Sequence, residues 1–236
     1  MKKHKRIIVT GFPHCGTTIL KSKLGECSNV FEQINESEWP EEHRFREYLN
    51  SDKEFYLWKD PIMRHDIFRF GFSRKPVTPF HNDIMIAIIR NPYYAFSSLI
   101  RRGIDITREP YHTPDYYIRT AEVFLDAQRN KYPNVYCIRY EDMFDDNYSN
   151  LRNIMDSIGL VYTDDLFETR TKIYNVIEGF PLHEEEPPQG IAEYRIWQIN
   201  KKFSNFNETS KIELPDNIER IFRQSKQVTE LGYNNE

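Results

Sequence analysis

Residues able to grip an anion stand at two well-separated places in this 236-residue chain. Gly11, Pro13 and Gly16 punctuate a tight turn around His14 and Cys15, and Thr17-Thr18 lead at once into Ile19, Leu20 and Leu24 at helical spacing. Such a turn aims consecutive backbone N–H groups and the positive end of the helix at one spot, where an anion fits. Arg90 closes the apolar run Asp83–Ile89 and is followed by Asn91-Pro92 and then by Ser98. A strand-end arginine holds a phosphate bidentately, and a hydroxyl from the following helix adds a donor. The plain alternatives are a corner with no ligand, an arginine paired with a carboxylate and a serine facing backbone.

The Gly11 to Gly16 spacing is that of the P-loop, G-x-x-x-x-G-K-[ST]. Thr17 stands where the lysine of that loop should be, so the side chain that reaches a β- or γ-phosphate is missing. A loop of this kind suits a ligand with less charge to neutralise. The stretch Gly-Phe-Pro-His-Cys-Gly-Thr-Thr resembles the G-x-P-[RK]-S-G-T-T loop of the sulfotransferases, nearer their bacterial and carbohydrate-type branch than the cytosolic one. Arg90-Asn91-Pro92 with Ser98 resembles the 3′-phosphate site of the same family, and Tyr140-Glu141-Asp142-Met143 its Y-E-D-[LM] segment.

The resemblance implies 3′-phosphoadenosine-5′-phosphosulfate (PAPS) as co-substrate. Pro13, His14, Cys15, Gly16, Thr17 and Thr18 would then hold the 5′-phosphosulfate, Arg90 and Ser98 the 3′-phosphate, and Tyr140 the adenine, with Arg195 in a lid over the nucleotide. His14 replaces a family Lys or Arg, and Lys59, in Lys-Asp-Pro, matches a strand-end lysine of several carbohydrate sulfotransferases. These two are expected to stabilise the transferring group. Glu32 is the first choice of general base, with His43, His65 and His81 as alternatives. Sulfuryl transfer is mostly positioning and electrostatics, and with one charge fewer than a phosphoryl group it makes a metal less necessary; none is expected. Cys15, at a helix N-terminus, is expected to have a lowered thiol pKa. The C-x-x-x-x-x-R loop of a thiol phosphatase is absent, so we read it as a small-residue substitution.

Positioning these residues takes strands that alternate with helices. Strands are expected at Ile7–Val9, Val30–Ile34, Glu54–Trp58, Asp83–Ile89 and Val135–Ile138. Helices are expected from Thr17, within Ser37–Leu49, over Tyr93–Arg102, Pro114–Lys131, Leu151–Ile158 with Gly159 as its cap, and Pro215–Leu231. Residues 62–79 read as a loop or short helices, residues 103–114 as a loop, and Glu184–Pro188 as an exposed acidic loop. The expectation is an α/β, P-loop-like three-layer fold, a central parallel sheet of about four or five strands flanked by helices. One domain is expected over 1–236. Its motif-bearing core is about 6–160, and a helical and loop C-terminal part, 161–236, covers the nucleotide site.

Composition narrows the partners. A net charge of −4 argues against nucleic acid and requires any anion site to be a local basic cluster. Three cysteines without metal-ligand spacing indicate neither a disulfide framework nor zinc. The apolar run after Met1–Arg6 is too short for a signal peptide or a membrane span, so a cytoplasmic enzyme is expected. It would act on a saccharide or other small acceptor through a hydroxyl or an amine. The rivals are a nucleotide or nucleoside kinase, which the missing lysine opposes, and a non-catalytic nucleotide-binding relative.

Overall fold

The computed structural model describes residues 5–33, 41–60, 83–168, 203–205, 207 and 212–233. Its sheet contains β1 (Lys5–Gly11), β2 (Val30–Glu32), β3 (Phe55–Asp60), β4 (Asp83–Ile89) and β5 (Val135–Arg139). All pairings are parallel and the spatial order is β2-β3-β1-β4-β5. The helices are α1 (Thr17–Gly25), α2 (Glu42–Leu49), α3 (Pro92–Arg101), α4 (Pro114–Asn130), α5 (Ser149–Ile158), α6 (Asp216–Gln224) and α7 (Lys226–Glu230). This is the α/β architecture that the alternation of strand and helix patterns implies.

The period-two placement of strand side chains builds a core on each face. Ile7 and Val9 of β1 and Ile84, Ile86 and Ile88 of β4 point to the face covered by Leu20 and Leu24 of α1 and by Leu151 and Met155 of α5. Ala87 and Ile89 point to the other face, against Phe96 and Leu99 of α3, Phe124 of α4 and Phe222 of α6. Ile8 joins Tyr48, Tyr56 and Trp58 there, beneath α2. Each fully buried leucine or phenylalanine contributes about 1.5–3 kcal/mol.

β1 leads into α1 on one face, whereas its neighbour β4 leads into α3 on the other. The chain therefore diverges between two adjacent strands, which opens a crevice at their carboxyl ends. Gly11 and Ile88 stand side by side at that edge, and β3 brings Lys59 alongside Val9.

Two expectations change. β3 continues to Asp60, so Lys59 is a sheet residue and only 4% exposed. The single helix expected over Pro215–Leu231 is two, α6 and α7, broken at Ser225, whose backbone is extended at ψ 122°. The Ser225 hydroxyl accepts from the Val228 N–H at 3.3 Å. Serine's preference for capping a new helix wins there over continuing the old one. Ile34, Trp39 and residues 62–79 and 184–190 lie outside the described residues. Among the described residues no helix is long and apolar enough to cross a membrane.

Candidate active site

The site starts where β1 ends. Gly11 is required because a Cβ there would collide with the carbonyl oxygen of Ile88 on β4. The turn then closes through Cys15 N–H donating to the Phe12 carbonyl at 3.2 Å. His14 and Gly16 both take left-handed backbone, with φ of 66° and 90°. Such reversals turn successive N–H groups inward as an anion nest. Gly16 N-caps α1 without a side-chain partner, and the first turn of α1 carries no acidic residue. The leading N–H groups of α1 thus face the same spot with their partial positive charge intact.

Side chains from three other elements converge there. From β3, the Lys59 ammonium donates to Thr18 Oγ1 at 2.8 Å. From the end of β4, Arg90 Nη1 donates to the His14 carbonyl at 3.3 Å. From α3, Ser98 Oγ lies 2.9 Å from His14 Nδ1. Arg90 is itself fixed on several sides. Its Nε donates to Asn207 Oδ1 at 2.7 Å, and its guanidinium lies 4.4 Å from the centre of the Tyr140 ring. Its Nη2 is buried and has no hydrogen-bond partner among the described residues. Such a group is costly to leave unmatched.

Glu141 anchors the other side of this network. Its carboxylate accepts from Asn91 N–H at 3.1 Å, Asn207 Nδ2 at 3.0 Å and Tyr233 OH at 2.9 Å. Tyr140 is buried against Gly16, where a Cβ would overlap its ring. The His14 imidazole is held well below the usual histidine pKa, first by burial and then by the neighbouring basic groups of Arg102, His112, Arg90 and Lys59. A basic cluster of this kind is what a chain of net charge −4 needs to hold an anion.

The structure thus brings together His14, Gly16, Thr18, Lys59, Arg90, Ser98 and Tyr140, with Pro13 and Thr17 in the same turn. It does not bring Glu32 to them. The Glu32 carboxylate pairs with Lys21 at 3.1 Å and packs against Gly25, in the last turn of α1 and away from the loop. β2 sets it level with Leu57, two residues short of Lys59 along β3. The expected fall in the Cys15 pKa is also corrected. The thiol is fully buried in the apolar layer with Phe12 and Phe96, and burial pushes its pKa far up. Helix proximity matters little to a thiol that water does not reach. His43 is an exposed residue of α2, 3.6 Å from Glu41. His65, His81 and Arg195 lie outside the described residues.

Arg102, His112 and Asn207 are the participants that sequence reasoning missed. Arg102 had a signal, standing one helical turn after Ser98. His112 and Asn207 come from stretches without a period.

No family model and no curated protein sequence matches the chain. Solved structures do. A sulfotransferase domain from the curacin biosynthetic pathway aligns over 99% of both chains, with a TM-score of 0.53 and 16% identity. The fold is that of the sulfotransferases. The sulfotransferase domain of the Synechococcus PCC 7002 olefin synthase shares the sulfotransferase fold over 90% of this chain and 96% of its own, with a TM-score of 0.51 and 16% identity. A mouse sulfotransferase complexed with PAP shares it over 97% of this chain and 86% of its own, with a TM-score of 0.56 and 15% identity. At such identities the sulfotransferase fold is common property, and the chemistry rests on this chain's own residues.

Proposed function

We propose that this chain is a sulfotransferase that moves a sulfuryl group from PAPS to a hydroxyl or amine of a saccharide or other small acceptor, releasing adenosine 3′,5′-bisphosphate. One observation carries the reading: Arg90 and Ser98 both touch the Gly11–Thr18 loop at His14, at 3.3 and 2.9 Å. Two anion grips on one sheet edge are what a nucleotide phosphorylated at both its 3′ and 5′ positions needs. The buried Nη2 of Arg90, unmatched among the described residues, fits such a ligand.

PAPS supplies the sulfuryl group and its phosphate leaving group. In our reading Thr17, Thr18 and the loop N–H groups hold the 5′-phosphate, with Pro13, Cys15 and Gly16 shaping the turn. Arg90 and Ser98 hold the 3′-phosphate, and Tyr140 backs the nucleotide from beneath Arg90. Lys59 and His14 offset the negative charge at the transferring group. Glu32 is left out because Lys21 already holds its carboxylate on the far turn of α1.

We also read the chain as one domain whose C-terminal part, 161–236, closes over the nucleotide. Asn207 supports this by bonding both Arg90 and Glu141. The acceptor's being a saccharide rests on Lys59 at its strand end, and a cytoplasmic location on three free cysteines. A non-catalytic nucleotide-binding relative is the second reading, and the neutral His14 in place of a fixed cation favours it.

Calorimetry with adenosine 3′,5′-bisphosphate tests the first reading. The wild type is expected to bind, and Arg90→Ala to bind about 10- to 100-fold more weakly. Equal affinity in the two, or none in either, overturns it. Binding without consumption of PAPS over a broad acceptor panel selects the second.

A further inference from the structure

The site holds more positive charge than the nucleotide reading uses. Lys59, Arg90 and the loop N–H groups account for the phosphosulfate and the 3′-phosphate. Arg102 and His112 also act on the His14 imidazole, ahead of Arg90 and Lys59. Arg102 directly follows α3, one turn beyond Ser98, so the face of α3 that touches His14 through Ser98 presents Arg102 next. The Nδ1 of His112 is buried and has no hydrogen-bond partner among the described residues.

The surroundings mark this as the open side of the site. Residues 107–111, just before His112, are exposed. A line of rings runs outward from the loop, Phe12 to Tyr116 at 6.2 Å and Tyr116 to Tyr111 at 5.4 Å, and Tyr111 is 46% exposed. Apolar ring faces beside a guanidinium and an imidazole, which burial holds below the usual histidine pKa and so offers as a neutral hydrogen-bond partner, can seat a small ring-shaped molecule with an acidic substituent.

We propose that Arg102 and His112 form the charge-binding half of an acceptor subsite, so that the acceptor carries its own anionic group beside the hydroxyl that receives the sulfuryl group. This deepens the sulfotransferase reading and rests on it. Arg102 and His112 bind the acceptor's anion, and the ring of Tyr111 stacks on its body. The nucleotide is held without them.

The test uses the protein saturated with adenosine 3′,5′-bisphosphate, titrated with two matched pairs of probes. These are glucuronate against glucose, and 4-hydroxyphenylacetate against its uncharged amide. The acid of at least one pair is expected to bind at least about tenfold more tightly than its neutral partner. Arg102→Gln and His112→Gln are expected to erase that preference, and Arg102→Lys to restore part of it. Both Gln variants should still bind the bisphosphate, with any loss well short of that in Arg90→Ala, which also shows that they fold. No preference in either pair overturns the subsite. So does a drop in bisphosphate affinity in Arg102→Gln as large as in Arg90→Ala, since Arg102 would then belong to the nucleotide grip. Failure of the wild type to bind the bisphosphate at all is a separate result and overturns the underlying reading.

Discussion

The Arg90 guanidinium lies 4.4 Å from the centre of the Tyr140 ring, and the same ring fills the space that a side chain on Gly16 would need. One aromatic plane therefore sets the distance between Arg90 and the turn at Gly16, which sit 74 residues apart in the chain. Cation–π contact of this kind is worth about 0.5–2 kcal/mol, more where water is excluded. Its larger effect is positional, because Arg90 is then held by Tyr140, Asn207 and the His14 carbonyl before any ligand arrives.

Gly16→Ala is expected to destabilise the protein more than Gly103→Ala. Both glycines have positive φ, 90° and 68°, so both substitutions carry about 1–2 kcal/mol of backbone strain. Only at Gly16 does the new methyl meet a ring, whereas nothing lies within 4 Å at Gly103. Thermal unfolding should place Gly16→Ala lower by several degrees, at about 2–4 °C per kcal/mol for a chain of this size. Equal melting temperatures would show that the Tyr140 contact is loose.

Asn207→Ala should weaken adenosine 3′,5′-bisphosphate binding by about three- to tenfold, because it frees Arg90 Nε and removes one of the donors to Glu141. In the Arg90→Ala background the same change should add almost nothing, since its target is already gone. Full additivity in a calorimetric double-mutant cycle would assign Asn207 a role independent of Arg90.

The fold was legible where patterns are local. Ile84–Ile89 is apolar throughout and, with Asp83, is β4 to the residue, and Gly159 caps α5 with φ 89° as a left-handed C-cap should. The Arg90 and Ser98 pair was legible too, because a strand end and a helix face are fixed by short-range rules. Glu32 was misplaced for a physical reason. Its number sets it near the loop, but β2 is an edge strand of three residues lying beyond β3, and Lys21 captures its carboxylate. Cys15 was misjudged because the helix end is visible in sequence whereas the apolar layer of Phe12 and Phe96 over the thiol is not. His112 reaches the site through a loop, whose path depends on packing that no periodicity records.

Glu32→Gln separates the sequence's first choice of base from the placement seen here. The side chains of Glu32 and Lys21 are 8% and 6% exposed, and burial raises the Glu32 pKa against the opposing pull of Lys21. Removing the charge leaves Lys21 buried with a weaker partner, and about 1–3 kcal/mol of stability should go with it. Bisphosphate affinity and PAPS turnover should stay within about twofold of the wild type, because the site lies at the other end of α1. A loss of turnover of a hundredfold or more with unchanged bisphosphate affinity would return Glu32 to the reacting centre.

His14 should make both stability and ligand binding depend on pH. Its folded pKa lies well below the usual 6.5, because burial and then Arg102, His112, Arg90 and Lys59 all disfavour the imidazolium. Below about 6.5 the unfolded chain binds a proton at this position that the folded chain refuses. The stability that neutral His14 contributes is therefore complete above that pH and is lost as pH falls from it. His14→Gln should flatten the slope of melting temperature against pH between about 5 and 6.5. A bound phosphate reverses the balance, since its charge beside the ring favours imidazolium. Calorimetry at pH 7 in two buffers of different ionisation enthalpy should then show proton uptake on binding adenosine 3′,5′-bisphosphate, and His14→Gln should abolish it. Uptake of no proton by the wild type would mean that the imidazole stays neutral beside the ligand. It would then act as a hydrogen-bond donor through Nε2, with Ser98 donating to Nδ1, and Lys59 would be left to carry the positive charge at the transferring group.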